Sequence, residues 1–147
     1  ITVPVTTKEQ IKEIKKTVTH IAKKHDEEPY KALATTQQAI FHQLEEQDEI
    51  DAAAIFDKVF EEKPLAREAA QLAITEERVP EKIAVTNVPK YERKYSKQKF
   101  KLDNGIEITI PSEIYENKEM VEFINNPDGS VSVLIKNIES ILNKFNA

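Results

Sequence analysis

The stretch "QKFKLDNGIEITIP", Gln98 to Pro111, decides how this chain is read. Apolar and polar residues alternate on both sides of Asn104-Gly105. Alternation of that kind puts every second side chain on one face of a strand. Ile106, Ile108 and Ile110 therefore share one face, and Glu107 and Thr109 the other. Asn-Gly accepts the positive φ that both central residues of a type I′ turn require, so the expected unit is a hairpin closed by a two-residue loop. Pro111 has no amide hydrogen to give a ladder and ends the second strand.

The pattern continues downstream. "SEIYEN" reads as one helical turn capped by Ser112. "MVEFIN" is a third strand, "NPDG" a turn with Pro127 at its second position, and "SVSVLIK" a fourth strand with Val131, Val133 and Ile135 on one face. Ile138, Ile141, Leu142 and Phe145 then recur at helical spacing and predict a last helix capped by Asn137. A small antiparallel β-meander with one apolar face needs a cover, and this helix offers an apolar stripe of matching length.

Upstream the period changes to that of helices. Thr7 and Gln10 form a capping-box pattern before Ile11, Ile14, Val18, Ile21 and Ala22. Pro29 opens a second helix with Tyr30, Leu33, Ala34, Ile40, Phe41 and Leu44 on its apolar face. Asp51 caps a third, holding Ile55, Phe56, Val59 and Phe60. Pro64 opens a fourth, with Leu65, Ala69, Leu72 and Ala73. From Val79 to Ser96 the pattern dissolves, and "EKIAVTNV" between Pro80 and Pro89 reads as a short extended piece. The expected fold class is α+β. Residues 1–78 form a helical lobe of about four helices, 79–97 a connector that is basic at its end, and 98–147 the meander with its C-terminal helix.

Charge is segregated along the chain. The formal net charge is −5, yet "KYERKYSKQKFK", Lys90 to Lys101, holds six cations and one anion. The 89 residues before it hold 12 cations and 17 anions, and the 46 after it 3 and 8. A whole-domain positive field is absent and a local one is present. Lys90, Arg93, Lys94, Lys97, Lys99 and Lys101 suit phosphate contact, with Tyr91 or Tyr95 as stacking partners. The plainer reading is a solvated connector leading into an edge strand guarded by lysines. Lys12 and Lys16, on a lysine-rich flank of the first helix with Lys8, Lys15 and Lys23, carry the same pair of readings.

Other chemistry finds little support. With no cysteine, disulfides, thiol catalysis and Cys-based zinc sites are excluded, which fits a reducing cytoplasm. His20 and His25 are five residues apart, a spacing that does not set them side by side on a helix. The only glycines, Gly105 and Gly129, belong to turns, so no glycine-rich phosphate loop exists. Arg67 and Gln71 sit among acidic residues, which argues against a recognition helix in the third and fourth helices. No apolar run approaches the roughly 18 residues of a membrane span. The opening "ITVPVTTKEQ" lacks the pattern of a signal peptide, and its missing Met suggests a piece of a longer protein or a processed one. No enzyme, no cofactor and no metal are expected.

The segment "NGIEITIPSEIYENKEMVEFINNPDGSVSVLIKNI" resembles the terminal segment of bacterial nucleoid-associated proteins of the NdpA/YejK type, whose members are longer, so the resemblance implies that this chain corresponds to their C-terminal portion. "LEEQDEIDAAAIFDKVF" resembles a passage upstream in the same family, so the likeness spans roughly residues 45–138. The resemblance implies association with the bacterial chromosome, a cytoplasmic and nucleoid location, and no catalytic residues. DNA, bound without sequence preference, is the implied partner. Other nucleoid proteins are the alternative, bound through an interaction module that never touches the duplex. A homo-oligomer is compatible with either. The strand phase has its own consequence: Ile108→Asp strands a charge in the sheet's core and is expected to lower unfolding free energy by several kcal/mol. Unchanged thermal stability of that variant would refute the phase.

Overall fold

The computed structural model describes residues 6–146. Residues 1–5, read above as free of a signal-peptide pattern, lie outside the described residues, as does Ala147. The chain divides into two compact units, Ile1–Ser96 and Lys97–Ala147.

The first unit runs α1 (Thr7–Lys24), α2 (Pro29–Glu46), β1 (Glu49–Asp51), α3 (Ala52–Val59), α4 (Pro64–Thr75), β2 (Lys82–Ala84) and α5 (Val88–Lys94). The cap of α1 is Thr6, not Thr7: its hydroxyl accepts from the Glu9 amide at 3.1 Å. Thr7 instead donates its hydroxyl to the Ala84 carbonyl at 3.3 Å, tying α1 to β2. Helix α2 is the centre of the unit and packs against α1, α3, α5 and β1. Its buried residues Ala32, Ala34, Thr36, Gln38, Ile40, Phe41 and Leu44 do not fit one stripe, as befits a helix covered on several sides.

Helix α4 shows a different face from the expected one. Leu65 and Leu72 are 71% and 51% exposed, while Ala66, Ala70 and Ala73 are fully buried. Alanine lets the α4 backbone come close to α1 and α3, which leucines at those positions would hold off. Helices α1 and α4 end alike, with Asp26 and Glu77 at positive φ. The Glu27 amide reaches back to the Ala22 carbonyl and the Arg78 amide to that of Ala73, each at 2.9 Å, in the Schellman pattern. Lys63, before α4, donates to the His25 carbonyl and pairs with Glu27 at 3.8 Å, fastening the two helical turns together.

The extended pieces at 49–51 and 82–84 pair as an antiparallel ladder in which Ile50 faces Ile83, both fully buried. Gln43 grips this ladder from α2. Its Oε1 accepts from the Asp51 amide at 2.9 Å, and its Nε2 donates to the Asp51 carbonyl at 3.2 Å. Asp51 caps α3 as expected, accepting from the Ala54 amide at 3.1 Å. Within residues 79–97, read from sequence as a connector, Val79, Ile83, Val85 and Tyr95 lie in the same core as Ile14, Ile40, Phe56 and Phe60.

The second unit holds β3 (Lys97–Lys101), β4 (Glu107–Pro111), α6 (Ser112–Tyr115), β5 (Val121–Asn125), β6 (Val131–Ile135) and a 3-10 turn at Lys144–Asn146. The strands form two separate hairpins, β3-β4 and β5-β6, where a single meander was expected. Register matches the expected phase: Gln98 faces Ile110, Phe100 faces Ile108, and Lys97, Lys99 and Lys101 lie on the solvent side. The rings of Phe100, Tyr115 and Phe123 meet with centroids 5.0–5.8 Å apart. This cluster joins the two hairpins by side chains, so no ladder between β4 and β5 is needed.

Three local expectations are corrected. The β3-β4 loop is not a type I′ turn, because Gly105 alone in it has positive φ. The Gly105 amide bonds the Leu102 carbonyl at 3.1 Å and the Leu102 amide the Ile106 carbonyl at 2.8 Å. This three-residue loop needs a left-handed residue once, at glycine, where type I′ needs two. Ser112 does not cap α6; it is the first helical residue, fully buried, and Pro111 holds the cap position. Among the described residues the expected C-terminal helix over Ile138–Phe145 is absent, and only a 3-10 turn at Lys144–Asn146 forms there. That segment is short, with one asparagine and isoleucines of modest propensity, and its apolar stripe is exposed.

Gln43→Ala removes both side-chain bonds to Asp51 at once. The expected loss is about 1–3 kcal/mol of unfolding free energy, read from a urea titration monitored at the helical signal. A midpoint unchanged from wild type would show that the ladder holds without this grip.

Candidate nucleic-acid interface

The basic stretch Lys90–Lys101 is split between the two units. Its first half forms α5, and its second half forms β3.

Helix α5 begins at Asn87, whose side chain accepts from the Lys90 amide at 3.4 Å, with Pro89 in its first turn. Val88, Tyr91 and Tyr95 recur at i, i+3 and i+7 and turn to the core. Gln37 of α2 donates to the Tyr95 carbonyl at 3.4 Å and fixes the helix end. Lys90, Arg93 and Lys94 recur at i, i+3 and i+4 and are exposed. Among the described residues, none of these three has a carboxylate within ion-pair distance. Arg93 and Lys94 also lie in the last turn, where the helix dipole favours positive charge.

Both tyrosine rings lie beside lysine ammonium groups. Tyr95 is 8% exposed and Tyr91 is half-buried against the core. Their rings lie near parallel, with centroids 6.4 Å apart. The Tyr95 ring, held in the core, offers no open face for a base to stack on, while Tyr91 stays partly exposed. Instead the Lys90 ammonium sits 5.6 Å from the Tyr91 centroid and the Lys94 ammonium 5.8 Å from that of Tyr95. Contacts of this kind are worth about 0.5–1 kcal/mol at exposed sites and narrow the spread of lysine rotamers.

The remaining candidates lie elsewhere. Lys12 and Lys16 are exposed at i and i+4 on α1, and Lys16 pairs with Glu13 at 3.7 Å. Lys99 and Lys101 are exposed on β3, with Lys97 on the same face. Lys101 stands opposite Glu107 across the ladder, and Lys99 opposite Thr109. Gln71, weighed for a recognition helix, donates to the Ala53 carbonyl at 3.1 Å and to Asp57 at 2.9 Å, so its amide is engaged inside the fold. Among the described residues no group of three or more His, Cys, Asp or Glu is placed to hold a metal. The helix α5 itself escaped the sequence reading because seven residues give barely two turns. Its signal was the Val88, Tyr91, Tyr95 spacing after an Asn-Val-Pro start.

Burial, and secondarily the neighbouring Tyr91, pushes the Tyr95 hydroxyl from its ordinary 10.0 up to about 12. The neutral phenol is thus favoured in the folded chain. Its contribution is complete below pH ~10 and is lost as pH climbs toward ~12, amounting to about 3 kcal/mol. Wild type should therefore lose more stability than Tyr95→Phe between those pH values. Parallel stability profiles for the two would place the Tyr95 hydroxyl in solvent.

The family description for nucleoid-associated protein YejK matches residues 1–143, a wider span than the residues 45–138 that carried the resemblance. Neither the curated proteins nor the solved structures contain a match to this chain. No helix among the described residues is long and apolar enough to cross a membrane. With a match over nearly its whole length, the chain belongs to the nucleoid-associated protein YejK family.

Proposed function

We propose that this chain is a non-catalytic nucleoid domain that binds DNA without sequence preference, through phosphate contacts from α5. The carrying observation is the exposed stripe of Lys90, Arg93 and Lys94, without ion pairs among the described residues, on a helix anchored by two tyrosines. Family membership supports a nucleoid-related role. Three cations on one face offer charge but no base-edge pattern, because the helix is too short and its rings face inward. Phosphate contact positions a protein without reading sequence, which suits a broadly distributed chromosome component.

The net charge of −5 opposes long-range attraction. At physiological salt the Debye length is about 8 Å, so only charges near the duplex count. The binding is accordingly weak and strongly dependent on salt. If each α5 cation neutralises one phosphate, log K falls against log salt with a slope of about −2.7. Fluorescence anisotropy on duplexes of unrelated sequence measures this. Lys90→Glu/Arg93→Glu/Lys94→Glu should abolish the binding or flatten the slope. Equal affinity and slope in wild type and variant would overturn the assignment. Salt-insensitive capture of a second nucleoid protein, with no duplex binding, would favour the interaction-module reading.

A further inference from the structure

Helix α4 carries its leucines on the outside. Leu65 and Leu72 are exposed at i and i+7, with Ala69 half-buried between them at i+4. One face of the helix therefore shows an apolar stripe about two turns long, with roughly 10 Å of rise from leucine to leucine. The helix cannot roll to hide it. Its opposite face, Ala66, Ala70 and Ala73, is fully buried against α1 and α3, and rolling would push leucines into space cut for alanine. Gln71 locks the flank by donating to the Ala53 carbonyl and to Asp57.

The surroundings of the stripe are acidic. Residues 61–77 hold five anions and two cations. Glu68 stands one turn from both leucines, at i+3 from Leu65 and i−4 from Leu72. Glu76 follows Leu72 by one turn, and Glu61 and Glu62 precede Leu65. Of the two cations, Lys63 is committed to the His25 carbonyl and Glu27, and Arg67 is half-buried. Among the described residues, Glu62 and Glu68 have no cation within ion-pair distance.

That charge selects the occupant. Duplex DNA and an anionic lipid surface would both bring negative charge onto these carboxylates. A second copy offers no match. The cationic helices α1 and α5 turn their apolar residues into their own core, and residues 138–146 carry one Lys and one Glu. We infer that the α4 face is a docking site for a basic amphipathic helix of a partner protein. Apolar side chains of the incoming helix, spaced i, i+3 or i+4, and i+7, pack beside Leu65 and Leu72, and Ala69 leaves room between them for one such side chain. Lys or Arg on the flanks of that helix meets Glu62 and Glu68. The inference does not rest on DNA contact by α5.

The test uses the whole 147-residue chain and, as probe, a synthetic helix of about five turns with leucine along one face and lysine on the rest. A control peptide has the same composition with the leucines scattered around the helix. By calorimetry the chain should bind the first peptide with a Kd of ~10–100 μM and the control at least ~10-fold more weakly. Leu65→Gln/Leu72→Gln keeps helix propensity and should weaken binding ~10-fold while thermal stability stays unchanged. Glu62→Gln/Glu68→Gln should weaken binding and reduce its dependence on salt. Equal binding of the two peptides overturns the inference, because it reduces the contact to charge alone. So does binding that the leucine variant leaves unchanged. If sedimentation shows that the leucine variant turns an oligomer of the chain alone into a monomer, the face belongs to a second copy, and the inference likewise falls.

Discussion

The pairing of Glu49–Asp51 with Lys82–Ala84 is the constraint on which the first unit depends. It closes a loop holding two helices and returns the chain to the side of α2. Ile50 and Ile83 bury fully at its centre, and Gln43 holds both backbone groups of Asp51. Three-residue strands would be marginal alone. Here they rest on helices α2 and α3, and the hydrogen bonds of Gln43 engage both the amide and the carbonyl of Asp51 at the junction. The Asp51 cap then starts α3 from the same point. One residue thereby serves the ladder, the grip from α2 and the helix start.

That closure also creates the seat for α5. With residues 82–84 fixed, the following segment is delivered against α2, where Val88, Tyr91 and Tyr95 complete the core. A helix anchored on one face must present its other face to water. In α5 that other face is Lys90, Arg93 and Lys94. Burial of the aromatics and exposure of the cations are therefore one geometric fact. The rings that sequence reading offered to a nucleic acid lie beside the ammonium groups of Lys90 and Lys94. A short helix would otherwise fray, and its charges would not keep a common direction.

The second unit is built on another principle. The two hairpins of five-residue strands share no ladder across the α6 turn, and Phe100, Tyr115 and Phe123 bring them together by side-chain packing. Aromatic contacts cover β5 but do not extend to β6. The unit therefore has a core on one side and an apolar margin on the other.

Much of the fold was legible locally. Pro29, Asp51 and Pro64 mark helix starts because their backbone chemistry suits the first turn whatever surrounds it. Alternation around Asn104-Gly105 gave the β3-β4 register for the same reason. Hydrophobicity misled where packing distance mattered: α4 buries alanines and exposes Leu65 and Leu72, because its neighbours are too close for larger side chains. It misled again in the tail, where a helical spacing had no partner surface. The candidate site shows the same division. Sequence alone determined which residues carry positive charge and that they cluster between Lys90 and Lys101. Only tertiary structure decided that Tyr95 is buried, that the stretch is half helix and half strand, and that Lys90, Arg93 and Lys94 face solvent together. Local signals report what a few neighbouring residues prefer. Which face is covered depends on surfaces contributed by residues distant in the chain.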